Sequence, residues 1–402
     1  MTQTTAEQMR RWQGPAILSF GFRTMFMLAG LWAVLAMGLW VAMLTDLIDL
    51  PTRFDPVTWH THEFLFGYLS AVIAGFLLTA VPNWTGRLPV VGWHLAGLAA
   101  LWVLGRVAVL MSIHLPVWAV ISADLSFLLV LWAVILREIV AGKNWKNLPV
   151  LVLVGVLTLA NLVFHLEFAG GAYAPHGFGL RLALSAVLVL VVLIGGKIIP
   201  SFTRNWLAKQ GATRLPTPPM QRFDKATLVV TSMVLLSWTT APDARLTGVA
   251  LLVMAILHAV RLARWQGITT GAESLVWVLH AAYAFVPLGG ALNALAILAP
   301  NALSQAAAIH VWTAGAIGLM TLAVMTRASL GHSGRDLHAT RATTLAYCAL
   351  IASVMTRVLA DVMFDLRSVF LDASGTLWIV AFATFVIAYG PMLATPKPER
   401  LS

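Results

Sequence analysis

Apolar residues fill this chain in twelve stretches separated by short polar connectors. Their limits fall near 24–45, 57–81, 92–110, 116–138, 148–168, 178–200, 224–242, 245–263, 273–298, 303–326, 340–362 and 374–392. Most reach the roughly 20 residues that a helix needs to cross a bilayer. The connectors near Leu115 and Thr247 are short enough to imply tight helical hairpins. The longest polar stretch, from Ser201 to Lys225, reads as a loop with no room for a soluble domain. The pattern therefore predicts one all-α, polytopic membrane domain over residues 1–402, with about twelve transmembrane helices.

Composition agrees. Hydrophobic residues make up 59% of the chain and charged residues 10%, against about 25% charged in soluble domains. The net charge of +10 would suit a nucleic-acid partner only if the basic residues were clustered. They instead lie in the connectors, where they set topology. With the N-terminus cytoplasmic, nineteen fall on the cytoplasmic side: Arg10, Arg11, Arg23, Arg87, Arg137, Lys143, Lys146, Arg204, Lys209, Arg214, Arg222, Lys225, Arg261, Arg264, Arg327, Arg335, Arg341, Lys397 and Arg400. Four (Arg53, Arg181, Arg245, Arg367) fall opposite, and Arg106, Lys197 and Arg357 lie within spans. Both termini are then cytoplasmic. Tryptophans such as Trp84, Trp145, Trp206 and Trp265 sit near segment ends, as an interfacial belt requires. The start, with Arg10 and Arg11 before a long apolar run and no small-residue cleavage site, reads as a retained first helix.

Cys348 is the sole cysteine, which excludes a disulfide framework, a Cys-X-X-Cys pair and covalent haem attachment of the C-x-x-C-H kind. Metal chemistry is left to histidine, methionine or carboxylate. Polar groups in a span are costly and mark function, so the eleven histidines carry the information. The topology places His60, His62, His114, His165, His176 and His310 toward the non-cytoplasmic side, with Glu63, Glu167 and Asp361. His258 and His280 lie deeper, and His94, His332 and His338 are cytoplasmic or interfacial.

The segment F-D-P-V-T-W-H-T-H-E-F is the strongest local signal. Asp55 and Pro56 are a good N-cap and first-turn pair, so both following histidines are helical. Residues two apart stand about 200° apart around a helix, and His60 and His62 must serve different partners or simply face water at an interface. His60, His165 and His176, with His114, form one candidate metal set, for which copper suits imidazole. His62, His280 and His310, with His258 in reserve, are the candidate axial ligands of a haem b. A lone intramembrane histidine is more often a helix-to-helix hydrogen bond than a ligand, and several on neighbouring helices shift the balance toward metal or haem. Gly315 and Gly318 permit close approach of a helix or a flat cofactor on the helix carrying His310. Tyr283 shares a face with His280. Arg106 has no partner on its own helix, which makes it a candidate for a haem propionate. Arg357 and Asp361, one turn apart, would neutralise each other, and Lys197 is placed to snorkel. Glu63 and Asp124 are the candidate proton carriers. Nucleotide loops and nucleophile elbows are absent from the sequence.

These residues resemble the NnrS family of bacterial inner-membrane proteins. The matching blocks are G-F-R-x-x-F from Gly21, W-H-T-H-E from Trp59 and on through G-F-L-L-T-A-V-P-N-W-T-G to Gly86, G-G-K-I-I-P-S-F-T-x-N-W from Gly195, L-H-x-x-Y from Leu279, and I-H-x-W-T-x-G-A-x-G through T-R-A-S-L-G-H-S-G-R to Arg335. One departure is Thr24, where proline is expected. The resemblance implies a twelve-helix protein holding haem and copper, linked to denitrification and nitrosative stress. The expected activity is binding and reduction, or other consumption, of nitric oxide, in the outer half of the bilayer, with electrons from a quinol or cytochrome donor. The alternative is a non-catalytic sensor or scavenger of nitric oxide, haem or copper, or a transporter.

Overall fold

The computed structural model describes residues 12–86 and 89–396. The basic residues Arg10, Arg11, Arg87, Lys397 and Arg400, and both chain ends, lie outside the described residues. Twelve long helices succeed one another, joined by turns and short 3-10 segments, with no strand among the described residues. They are α1 (Gly21–Leu44), α2 (Pro56–Thr85), α3 (Trp93–Leu110), α4 (Val117–Ala141), α5 (Leu148–Ala169), α6 (Phe178–Lys209), α7 (Arg222–Thr240), α8 (Arg245–Ala263), α9 (Ser274–Leu298), α10 (Gln305–His332), α11 (Arg341–Val362) and α12 (Arg367–Ala394). The protein is a polytopic all-α membrane protein. Eleven of the twelve helices are long and apolar enough to cross a membrane.

The exception is α7. Its first turn holds Arg222, Asp224 and Lys225, and its hydroxyl residues fold back on their own helix, as when Thr231 donates to the Thr227 carbonyl at 2.7 Å. Helix α6 runs nine residues beyond the expected end at 200, through Pro200, into the stretch read as a loop. Hydroxyls sustain it there: Ser201 donates to the Lys197 carbonyl at 2.7 Å and Thr203 to the Ile199 carbonyl at 2.8 Å.

The chain divides into two compact units. The first contains α1–α5 with the opening turns of α6 and the closing turns of α10 and α12; there α2 packs on α1 and α4, and α4 on α3 and α5. The second contains the rest of α6, α7–α9, α11 and the remainder of α10 and α12, with α9 packed on α8 and on the middle of α10.

Two interruptions of α-helical register matter for function. In α2, residues Glu63–Tyr68 are π-helical, and in α10 residues Val311–Leu319 are π-helical. Each begins at the residue after a motif histidine, His62 or His310. Such wide turns inside α-helices collect at functional sites.

Two arginines counted toward orientation are core groups. Arg23 is 4% exposed and its Nη1 donates to the carbonyls of Met392, Leu393 and Thr395, capping the end of α12. Arg261 is fully buried and pairs with Asp224 at 2.8 Å. A basic residue whose charge is met inside the protein says little about topology. Trp265 likewise leaves the interfacial belt, being buried against Tyr283, whereas Trp145 is exposed at a helix end.

Candidate metal centre

The first unit gathers six polar side chains into one buried cluster. Asp55 caps α2, accepting from the backbone N–H groups of Val57 and Thr58 at 3.0 and 3.1 Å. That fixes where the helix starts and hence where its second turn points. Trp59 and His62 face inward, while His60 turns away to stack on Trp40 with ring centres 4.2 Å apart. The opposed directions of His60 and His62 follow from the i, i+2 geometry.

His62 meets Asp124 of α4 and His165 of α5. His62 Nε2 lies 3.1 Å from Asp124 Oδ2 and 3.2 Å from His165 Nε2, and His165 Nε2 lies 3.0 Å from the same Oδ2. Among the described residues this is the group of His, Cys, Asp or Glu side chains placed to hold a metal ion. The three edges average about 3.1 Å, so the centre of the triangle is about 1.8 Å from each atom. First-row metals bind such atoms at roughly 2.0–2.2 Å, so an ion fits just off that plane. Two imidazole nitrogens and a carboxylate oxygen converging on one point suit a divalent transition metal with open positions.

The surroundings hold these atoms in place. Glu63 Oε1 is 3.0 Å from His62 Nδ1, a contact that directs the Nε2 lone pair at the triangle. Arg106 of α3 donates from Nη1 to Glu63 Oε2 at 2.8 Å and from Nη2 to Asp124 Oδ1. Asn161 of α5 donates to Asp124 Oδ2 at 2.7 Å. Gly67, in the π-helical turn, makes room for all this: a Cβ there would stand 2.6 Å from Arg106 Nη1 and 2.8 Å from Glu63 Oε2. None of the six side chains is more than 5% exposed. Phenylalanines close the other side, with Phe54 5.4 Å from the His62 ring and 5.8 Å from the His165 ring, centre to centre.

The expected sites are thus redistributed. His165 joins His62, from the haem set, and Asp124, from the proton carriers. His60 is on the far side of α2, and His114 and His176 are exposed in connectors. Arg106 finds anions in the protein, at Glu63 and Asp124. Glu167 caps α6, accepting from the N–H groups of Phe178 and Gly179 at 2.6 and 3.0 Å. Asp361 takes the N–H and hydroxyl of Ser304 at 2.8 Å each, bracing the N-cap of α10, and its charge also acts on Arg357 one turn away. Asn161, Gly67 and Phe54 carry no signal in the sequence beyond their types.

In the second unit, His258 Nδ1 is 2.8 Å from the Tyr283 hydroxyl and its Nε2 is 2.8 Å from Thr231 Oγ1. Tyr283 also accepts from Arg261 at 2.9 Å. Both ring nitrogens of His258 are engaged, so it offers no axial position as folded. His280 Nε2 is 2.8 Å from Thr203 Oγ1, and its Nδ1 is covered by Gly267, where a Cβ would come within 2.5 Å. His310 Nδ1 is 2.7 Å from the Ala306 carbonyl. The small faces of α10 are filled: a Cβ at Gly315 would meet Phe285 at 2.6 Å, and one at Gly318 would meet Trp378 at 3.0 Å. Those glycines admit neighbouring side chains, and the packing around His258 and His280 does not fit a haem.

Residues 16–397 match the family model described as NnrS protein. The chain belongs to the NnrS family. No curated protein and no solved structure matches this NnrS chain. The match spans both compact units, so the cluster around His62 and the network around Tyr283 lie within the family's extent.

Proposed function

We propose that this NnrS protein is a bacterial inner-membrane protein of nitric oxide metabolism, which binds nitric oxide at a metal held by His62, His165 and Asp124 and consumes it there. The observation that carries this reading is the triangle of His62 Nε2, His165 Nε2 and Asp124 Oδ2, with edges of 3.0–3.2 Å and almost no exposure. Two imidazole nitrogens and a carboxylate oxygen this close share either a proton or a metal ion, and a metal ion is the partner that engages all three at once. Copper is the metal our reading of the family favours, although the ligand set also suits iron(II) or zinc.

A metal bound there would supply an open coordination position for a diatomic ligand and a one-electron couple. The protein's own groups do the rest. Glu63 fixes the His62 tautomer, Arg106 holds Glu63 and Asp124 in one plane of contacts, and Asn161 orients the carboxylate oxygen shared with both histidines. Nitric oxide is small and apolar and reaches such a site through hydrocarbon. Electrons from a quinol or cytochrome and proton uptake from the non-cytoplasmic side complete the proposal.

The test is metal analysis of the purified protein followed by anaerobic nitric oxide consumption by its reduced form. A stoichiometric transition metal and turnover support the reading. Bound metal without turnover turns it into a scavenger or sensor, and a metal-free protein removes it.

A further inference from the structure

We infer that Phe54, Phe66 and Phe164 make the centre selective for a small neutral diatomic ligand and closed to anions, a reading that rests on the metal site proposed above. The cluster has two chemically different sides. The polar side chains bonded to the triad, among the described residues, are Glu63, Arg106 and Asn161. They occupy the outer oxygen of Asp124, the Nδ1 of His62 and the edge of the shared oxygen. Among the described residues, the other rings beside the two imidazoles are phenyl. Phe66 and Phe164 stand 5.3 and 5.7 Å from His62, and Phe54 touches both histidines.

Phe54 is held as a fixed wall. It is 7% exposed and packs edge-on against Phe168 with ring centres 4.5 Å apart. The residue before it is tied to the α3–α4 connector, since Arg53 Nε donates to the Ser112 carbonyl at 2.8 Å and its N–H to the Ser112 hydroxyl at 2.8 Å. An anion reaching the metal past these rings must shed its water with no donor to replace it. A neutral diatomic meets no such obstacle, because phenyl surface solvates it at least as well as water does.

The experiment uses full-length protein loaded with cobalt(II), whose visible bands report ligand binding, titrated anaerobically with nitric oxide and separately with azide. In the parent protein azide is expected to bind at least about a hundredfold more weakly than nitric oxide. Phe54→Ser is expected to tighten azide at least about tenfold and to move nitric oxide less than about threefold. Azide binding the parent as tightly as nitric oxide overturns the inference, and that comparison stands even if Phe54→Ser does not fold. Unchanged azide affinity in a folded Phe54→Ser protein also overturns it. Failure to take up cobalt overturns the metal reading itself, a result distinct from either.

Discussion

Arg106 Nη1 sits 2.8 Å from Glu63 Oε2, joining α3 to the first residue of the π-helical turn of α2, and both side chains are buried. The same guanidinium holds Asp124 on α4. Removing one partner of a buried ion pair strands the other, which costs about 3–5 kcal/mol. Arg106→Leu is therefore expected to destabilise the protein by that order, read as a large fall in the detergent-solubilised melting temperature. Arg106→Leu combined with Glu63→Gln should recover part of the loss, because one uncompensated charge goes with it. Equal losses in the single and double variants would contradict this account.

Metal content should separate the histidines sharply. His62→Ala and His165→Ala are each expected to lower bound metal by at least about tenfold, since each removes one of three ligand atoms. His60→Ala, His114→Ala and His176→Ala should leave the stoichiometry unchanged. Elemental analysis of the five purified variants decides it, and a loss confined to His60, His114 and His176 would move the site to the far face of α2 and the connectors that carry His114 and His176.

Gly67→Ala tests the packing beneath the ligands. Its Cβ would fall within 3 Å of Arg106 Nη1, Glu63 Oε2 and Trp32 Nε1, distances that force those groups apart. The expected result is weakened metal binding in a protein that still folds, measured as a rise in the metal dissociation constant. Gly38→Ala, where a Cβ meets nothing within 4 Å, is the control and should bind as the parent does.

Tyr283→Phe removes the hydroxyl that accepts from Arg261 and lies 2.8 Å from His258. It should cost about 1–3 kcal/mol by leaving buried polar groups unsatisfied, and it should leave metal content at the His62 centre unaltered. A loss of metal without a loss of stability would tie Tyr283 to the chemistry after all.

The helices are legible in the sequence because lipid-facing and core positions alike are apolar, and an apolar run of about 20 residues matches the thickness of a bilayer. The end of α6 is not, because Pro200, Ser201 and Thr203 have the composition of a loop, and their hydroxyls close on the helix only in three dimensions. His62, His165 and Asp124 each stand out as polar groups inside spans. Their grouping does not, since it depends on which faces of α2, α4 and α5 meet, and residues 62, 124 and 165 have no spacing that announces it. Arg106 lacks a partner on its own helix for the same reason that it has two across helices.

The π-helical turn Glu63–Tyr68 has a consequence for how this site tolerates change in length. Each residue advances an α-helix by about 100°, and a wide turn absorbs roughly one residue more than the α-helical path would. Deleting a single residue between Glu63 and Tyr68 would let α2 close into ordinary register without shortening the bundle. His62 and everything before it would then keep their bearing relative to Leu69–Thr85, whereas the same deletion in the α-helical turns after Leu69 would swing them by about 100° and carry the His62 ring away from Asp124. In both cases the helix would still span the membrane and the sequence would still look apolar. A one-residue deletion invisible to any hydropathy reading would thus spare the candidate metal centre in one stretch of α2 and break it in the next.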